Sequence, residues 1–129
     1  MKIAIPVKTN KDNPAVSPLF GKAKWFAFVE DGNITIKKNL CHGGGEVIRW
    51  FLEENVDTII FQEMGTTPYN LIKQTNKITL FHSGYERILL DDLLDKFTNN
   101  TLELIDDTNI DKIIQKHESK HTHDHEHHH

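Results

Sequence analysis

Residues 25–36 read WFAFVEDGNITI, and this stretch decides the fold class of the chain. Two runs rich in aromatic and β-branched residues flank Asp31-Gly32, and Asp-Gly between such runs is a strong signal for a β-hairpin. Residues 2–7, KIAIPV, are rich in Ile and Val and alternate, which predicts another strand with Pro6 near its end. We therefore predict three initial strands, of which the second and third are antiparallel neighbours.

Beyond Gly43-Gly44-Gly45 the apolar spacing becomes helical. Residues 58–61, TIIF, then form a short apolar run suited to a buried strand. Thr67 followed by Pro68 predicts the N-cap and first turn of a second helix, and residues 77–81 repeat the strand pattern. The apolar face of the first helix is predicted to consist of Val47, Ile48, Phe51 and Leu52.

The sequence of the C-terminal third of the chain predicts two further helices. Residues 83–86, SGYE, have the pattern of a capping box and predict a third helix that reaches Phe97. Leu102 and Leu104 indicate a short strand or an extended segment. Thr108 is the predicted cap of a last helix that ends near Lys116.

The order β-β-β-α-β-α-β-α predicts an α/β fold, because an antiparallel meander is followed by strands that helical crossovers hold parallel. We expect a three-layer α/β/α domain over residues 1–116, with a mixed five-stranded sheet. If the first strand is central, the order 3-2-1-4-5 matches the ribonuclease H-like topology. Residues 8–24 form a connection longer than most loops, which marks them as a candidate functional loop.

Composition limits the classes of protein to consider. A chain of 129 residues with 37% hydrophobic and 26% charged residues is typical of one soluble globular domain. No apolar run approaches the ~18 residues of a membrane helix, and no signal peptide is recognisable, so we expect a cytoplasmic protein with no membrane partner. A net charge of -4 without a Lys/Arg-rich stripe argues against nucleic acid as a partner.

Seven of the nine histidines lie in residues 117–129, which we expect to form a disordered tail. The segment could be part of an expression tag or a solubilising end, but Asp, Glu and Thr interrupt the histidines, which favours a native tail. Imidazoles interspersed with carboxylates bind Ni(II), Zn(II) or Cu(II) with little selectivity. The predicted ligands are His121, His123, His125 and His127.

Three segments are predicted to meet where ligands collect in such sheets, outside the carboxyl ends of the parallel strands. They are SPLFG at 17–21, NLCHGGG at 39–45 and EMGTT at 63–67. A thiolate, an imidazole, a thioether and free backbone N–H groups facing one cavity would suit a metal-sulfur or oxyanion ligand. The candidate residues are Phe20, Gly21, Cys41, His42, Gly43, Gly44, Gly45, Met64 and Gly65.

These motifs, in this order, resemble the dinitrogenase iron-molybdenum cofactor biosynthesis family, which includes NifX-like proteins and the C-terminal region of NifB. The resemblance starts with MKIAIPV at 1–7 and covers roughly residues 1–97. It implies a ribonuclease H-like fold and a non-catalytic protein that binds or carries a metal-sulfur cluster, iron-sulfur or molybdenum-containing, or its precursor. An acceptor protein for that cargo is then the expected partner.

One departure concerns the metal ligands. The family often has histidine inside its Ser-x-x-Phe-Gly motif, where this chain has Leu19. Cys41 beside His42 could compensate as metal ligands. Because two ligands rarely complete a coordination sphere, a homodimer or a cluster with its own sulfides would have to supply the rest, and the chain itself could be monomeric or dimeric.

Other interpretations of the same residues remain open. Cys41 could be a small packed hydrophobe, or the thiol of a redox enzyme or sensor, and a plain interaction module is the third class to consider. His82 is expected to make capping or hydrogen-bonding contacts, and Met64 to pack in the core or a loop. A dinucleotide fingerprint fails because Ile48 stands where its third glycine belongs, and the chain has no Gly-x-Ser-x-Gly of a hydrolase.

Overall fold

The computed structural model describes residues 1–114, so the end of the predicted last helix near Lys116 and the tail at 117–129 lie outside the described residues. Residues 110–114 are helical. No helix in the described part of the chain is long and apolar enough to cross a membrane. The elements are β1 (Lys2–Val7), β2 (Trp25–Glu30), β3 (Asn33–Lys38), α1 (Gly44–Glu53), β4 (Thr58–Phe61), α2 (Thr66–Thr75), β5 (Thr79–His82), α3 (Leu90–Thr98) and β6 (Glu103–Ile105).

The strands form one open mixed sheet in the order β3-β2-β1-β4-β5-β6. Strands β1, β4 and β5 are parallel, whereas β1 with β2, β2 with β3 and β5 with β6 are antiparallel. The first five strands lie in the predicted order, but the predicted count of five is wrong. The segment around Leu104 is a sixth strand, because Leu104 pairs with Phe81 on β5. The ribonuclease H-like topology stays a prediction.

The predicted hairpin is confirmed. Glu30 pairs with Asn33 across a two-residue turn. Asp31 has φ 53° and Gly32 φ 79°, and two successive positive φ angles are those of the type I′ turn that joins antiparallel strands.

Two hydrophobic clusters lie on opposite faces of the sheet, because alternate residues of a strand point to opposite sides. On β1, Ala4 belongs to one cluster and Ile5 to the other. The first cluster packs against α1 and α2, and includes Val47, Ile48 and Phe51 as predicted. The second packs against α3 through Leu90 and Leu93.

The predicted start of the third helix is wrong. Helix α3 begins at Leu90, and residues 83–86 do not cap it. Residues 88–90 are held by backbone pairing with 14–16, in which Val16 N–H donates to Ile88 O and Leu90 N–H to Pro14 O, both at 2.9 Å. Ala15 and Leu89, which form this antiparallel bridge, are some 70 residues apart in the sequence. The long-range pairing keeps residues 88 and 89 extended, although their apolar spacing is that of a helix.

Two predicted caps are also wrong, each by two residues. Helix α2 begins at Thr66 after Gly65, so Thr67 lies inside its first turn, and Pro68 is tolerated there because a first-turn N–H has no intrahelical partner. Asp106 rather than Thr108 precedes the last helical segment. Its carboxylate accepts the Thr108 N–H at 2.9 Å, and its carbonyl accepts the N–H of Ile110 at 2.9 Å.

Candidate functional site

A cavity of about 250 Å³ lies where three of the predicted segments meet, beside the first turns of α1 and α2. We call it the glycine cavity. The long loop at 8–24 supplies one wall, the residues before α1 a second, and the connection from β4 to α2 a third. Its lining residues are Leu19, Phe20, Gly21, Lys22, Gly43, Gly44, Glu63, Met64, Gly65 and Pro68.

The segments around the cavity approach each other so closely that a Cβ atom has no room at two positions. A Cβ atom on Gly21 would lie 2.8 Å from the backbone nitrogen of Gly44, and a Cβ atom on Gly44 would lie 2.7 Å from Cγ of Pro68. Gly43 has a φ angle of 115°, which residues other than glycine rarely adopt. These glycines therefore serve close packing, not only a flexible entry into the helix.

Both helices present their N-termini to this cavity. The first intrahelical donors are Val47 N–H to Gly43 O in α1 and Tyr69 N–H to Gly65 O in α2, at 3.2 and 3.4 Å. The N-terminus of each helix carries the positive end of the helix dipole, although Pro68 in the first turn of α2 has no N–H to offer. Lys22 also lines the cavity, and its positive charge together with the two helix N-termini favours the binding of an anion. Glu63, which lines the cavity as well, contributes the opposing negative charge.

Two buried side chains give the cavity an apolar floor. Phe20 is 3% exposed and Met64 is 1% exposed, and both belong to the cluster beneath α1 and α2. The Phe20 ring meets the rings of Phe26 and Phe51 edge to face, at 5.6 and 5.9 Å between centroids. Met64 thus packs in the core, as predicted, and also contributes to the cavity wall.

Asn39 joins two walls of the site, a role that its sequence context alone does not assign. Its side-chain amide donates to the carbonyls of Gly21 and Ala23 at 3.3 and 2.8 Å, while its Oδ1 accepts the Cys41 N–H at 2.9 Å. An asparagine directly after a strand often forms such an Asx turn, and this was the available signal. Asn39 therefore fixes the long loop to the segment that leads into α1.

The sequence of residues 1–100 matches the family described as dinitrogenase iron-molybdenum cofactor. The chain belongs to this family. The resemblance in the motifs over residues 1–97 is thereby confirmed, and with it a connection to the biosynthesis or binding of that cofactor. No curated protein matches the chain.

Two solved structures illustrate the fold that this family member shares. A NifB-like protein from Thermotoga, placed in the DUF35 family, is 22% identical, with a TM-score of 0.68 over 80% of this chain and 91% of that chain. The apo form of the orange protein from Desulfovibrio gigas is 17% identical, with a TM-score of 0.70 over 81% of this chain and 92% of that chain. At these identities the likeness concerns the fold alone.

In this member of the dinitrogenase iron-molybdenum cofactor family, Cys41 does not line the glycine cavity. It lies half-buried in a neighbouring cleft of about 440 Å³, against α1. Burial, with smaller contributions from Glu46 and Glu53, raises the pKa of the Cys41 thiol. An activated redox cysteine needs a lowered thiol pKa, so this environment opposes the redox interpretation.

His42 and Gly45 are likewise outside the cavity lining. The side chain of His42 is exposed, and Gly45 is half-buried, with Leu71 and Thr67 3.5 Å from where a Cβ atom would lie. Within residues 1–114, no group of three or more His, Cys, Asp or Glu side chains could hold a metal ion. The other proposed ligands, His121, His123, His125 and His127, lie outside the described residues.

His82 makes the predicted hydrogen bonds. It is 6% exposed at the end of β5, with Nε2 2.9 Å from the carbonyl oxygen of Gln62. Its Nδ1 accepts the N–H of Gly84 at 3.1 Å. His82 therefore holds the residue that precedes the Glu63–Gly65 wall of the cavity.

Proposed function

We propose that this chain is a non-catalytic carrier that binds an anionic metal-sulfur cluster, or a precursor of one, in the glycine cavity. The observation that carries the proposal is the meeting of two helix N-termini and Lys22 around one cavity. The positive end of a helix dipole and a cation are the features that attract a compact anion. We place this role in the cytoplasm.

The donor set fits a cluster that brings its own sulfides. Among residues 1–114, no thiolate or imidazole lines the glycine cavity, so the cargo would be held by backbone N–H groups, by Lys22 and by contact with the Met64 thioether. The volume of about 250 Å³ corresponds to roughly eight waters at ~30 Å³ each, which suits a small cluster. Binding without covalent ligands is appropriate for cargo that must be passed to an acceptor protein.

Cys41 and His42 remain proposed ligands of a metal ion or of an exposed edge of the cluster. His42 directly precedes Gly43, which lines the cavity, and its exposed side chain is accessible to a metal. Two protein ligands leave the rest of the coordination sphere to cluster sulfides or to a second copy of the chain. We further propose that the histidines of 117–129 bind Ni(II), Zn(II) or Cu(II) as a second, exchangeable site.

Anaerobic reconstitution with iron, sulfide and molybdate tests the carrier function. We expect charge-transfer absorption and bound metal to co-elute with the wild-type chain. Comparison with Cys41→Ser and His42→Ala then locates the cargo: retained bands place it on backbone donors, and bands lost in both variants place it on the two side chains. A wild-type chain that retains neither metal nor absorption contradicts the proposed function.

A further inference from the structure

Strand β3 lies at one edge of the sheet and presents an open side. Within residues 1–114 it pairs with β2 alone, over its full length from Asn33 to Lys38. Its sequence contains no proline, which would interrupt a further ladder. A regular edge strand of six residues is a ready template for pairing with another strand, whereas β6, at the opposite edge, has only three residues.

The hairpin determines which backbone groups of β3 point to this open side. Glu30 and Asn33 close a two-residue turn, and the residues that flank such a turn form a hydrogen-bonded pair. Hydrogen-bonded pairs alternate with non-hydrogen-bonded pairs along the ladder, so Thr35 also directs its N–H and C=O toward β2. The N–H and C=O groups of Ile34 and Ile36 therefore point outward, where a further strand would meet them.

The side chains of Ile34 and Ile36 add apolar surface beside the open side. Both lie on the face of the sheet that carries α3, because Ile36 packs against the second cluster and alternate residues share a face. Ile34 is 44% exposed. With Pro14 and Leu90 the two isoleucines line a cavity of about 600 Å³ between β3, the long loop and the start of α3. An exposed apolar side chain on an open edge strand is typical of an association surface.

The two ends of this edge carry opposite charges. The turn before β3 contains the exposed Asp31, and the strand ends in Lys37 and Lys38. Lys37 is paired with Glu54 at 3.0 Å, whereas Lys38 is exposed. Two such edges in parallel would place like charges side by side. In an antiparallel arrangement the basic end of each edge meets the acidic turn of the other, so the edge is complementary to itself.

We propose that this chain forms a symmetric dimer in which β3 pairs antiparallel with β3 of a second copy, with Thr35 at the two-fold axis. In this register Ile34 lies opposite Ile36 of the second copy, and symmetry creates the reciprocal pair. Because both residues point their backbone groups outward, each pair exchanges two hydrogen bonds. The four isoleucine side chains form an apolar strip across the junction.

The register follows from the residues that must meet. In it Lys38 lies opposite Gly32 of the second copy, next to Asp31, so the basic and acidic ends are neighbours. A shift by two residues would place Ile36 opposite Gly32, or Ile34 opposite Lys38, and lose the apolar pairs. A shift by one residue would set outward-pointing backbone groups against inward-pointing ones.

The dimer leaves the two glycine cavities independent. Strand β3 runs in the same direction as β1, because each is antiparallel to β2, so its carboxyl end lies at the cavity end of the sheet. Antiparallel pairing directs the two cavities to opposite ends of the dimer. Each copy then binds its own cargo, and Cys41 and His42 of one copy lie far from the cavity of the other. The rest of the coordination sphere is left to cluster sulfides.

The mass of the full chain in solution tests the dimer, with a chelator present so that the histidines of 117–129 cannot link chains through metal. Sedimentation equilibrium over a series of concentrations should approach twice the chain mass of 14.9 kDa. Ile34→Lys places a charge opposite Ile36 of the second copy and should weaken dimerisation about tenfold or more. Leu104→Lys is the matched control, with the same change in charge at a side chain that is 50% exposed on the opposite edge, and it should dimerise like the wild type.

Disulfide formation tests the register. In a Cys41→Ser background, Thr35→Cys places one cysteine of each copy at the two-fold axis, where facing Cα atoms are about 4.5 Å apart, within the range of disulfides. Oxidation should therefore yield a covalent dimer. Asn33→Cys in the same background is the control. Its symmetry mate lies four residues along the ladder, roughly 13 Å away, so this variant should stay uncrosslinked.

A wild-type chain that stays monomeric at every concentration overturns the proposal and leaves the edge to a strand of another protein. Association that Ile34→Lys and Leu104→Lys weaken equally overturns it as well. Cross-linking of Asn33→Cys as fast as Thr35→Cys excludes the antiparallel register. If Ile34→Lys does not fold, as judged by circular dichroism, the wild-type mass and the two cysteine variants decide. None of these outcomes depends on whether the chain carries a cluster.

Discussion

Gly21 lies against Gly44 with no room for a side chain between them, since a Cβ atom on Gly21 would be 2.8 Å from the Gly44 nitrogen. The long loop is thus seated on the first turn of α1. Gly44 in turn lies against Pro68, in the first turn of α2, since a Cβ atom on Gly44 would be 2.7 Å from Cγ of Pro68. The glycine cavity is formed by this three-way contact.

Replacement of Gly21 by alanine should therefore separate the loop from α1. We expect Gly21→Ala to lower the free energy of unfolding by about 1–3 kcal/mol, the usual range for overpacking. The same variant should bind tetrathiomolybdate more weakly than the wild type. Urea denaturation measures the stability. Gly45→Ala is the matched control: its Cβ atom meets neighbours at an ordinary 3.5 Å, and alanine favours the helix, so it should be neutral or stabilising by up to ~1 kcal/mol. Equal losses in both variants would contradict the packing argument.

Lys22 should matter for anion binding because it lines the cavity, whereas the exposed Lys24 does not. We expect Lys22→Gln to weaken the binding of tetrathiomolybdate about fivefold or more, the equivalent of ~1 kcal/mol for a charged donor. Lys24→Gln, with the same change in net charge, should bind like the wild type. Isothermal titration at two salt concentrations distinguishes a local contact from general attraction, and equal weakening in both variants would exclude the local role.

Asn39 should be important for stability, because its three side-chain hydrogen bonds join the two walls. We expect Asn39→Ala to reduce the free energy of unfolding by about 1–3 kcal/mol, since three partly buried backbone groups lose their hydrogen bonds. Asn10→Ala, at an exposed position of the long loop, serves as the control and should change stability by less than ~0.5 kcal/mol. A loss at Asn39 no larger than that at Asn10 would contradict its assigned role.

The stability of the fold should depend on pH through His82. Its pKa is lowered by burial in the folded chain, so between about 6.5 and that lowered value the unfolded chain binds more protons. The contribution of His82 to stability is therefore fully present above the pKa that His82 has in the unfolded chain, and it is lost as the pH falls through this window. His82→Gln should remove the decrease in chemical denaturation measured from pH 8 to 5.

A separate decrease is expected in stronger acid. The pKa of Glu54 is lowered chiefly by its hydrogen bond from Lys37, at 3.0 Å. Because a carboxylate with a lowered pKa stabilises the fold above its unfolded pKa, this contribution is lost below about pH 4.5. His82→Gln should leave this second decrease intact, and its disappearance would show that the two windows are not independent.

The tail should bind divalent metal independently of the folded domain. A chain that ends at residue 116 lacks seven of the nine histidines and should bind fewer Ni(II) or Zn(II) ions by elemental analysis. In the full chain, binding should weaken below about pH 6.5 as imidazoles are protonated. An unchanged metal count after removal of 117–129 would contradict the proposed exchangeable site.

The features that could be predicted from the sequence depend on contacts between near neighbours in the chain. The hairpin is predictable from Asp31-Gly32, whose positive φ angles are a local property, and α1 from the periodicity of its apolar face. The start of α3 could not be predicted this way, because residues 88–90 pair with the distant segment 14–16.

For the candidate site, the sequence predicts which segments meet but not which side chains line the cavity. The three segments that form the glycine cavity are expected from the rule that ligands collect at the carboxyl ends of parallel strands. Which side chains enter the cavity depends on backbone direction after Asn39, and this places Cys41 in the neighbouring cleft. Nothing in the spacing of Cys41 and Gly44 indicates that separation.

The binding of an anionic cluster in the glycine cavity is tested most directly by the Met64 methyl signal, in a chain labelled with ¹³C-methyl methionine, during titration with tetrathiomolybdate at pH 8. Met64 lies in the cavity floor, and Met1 provides the reference in the same spectrum. We expect a saturable shift of Met64 at one equivalent of bound probe, with Met1 unchanged. Binding of the probe without a change at Met64, or no binding at all, would contradict the assignment of the cavity as the cargo site.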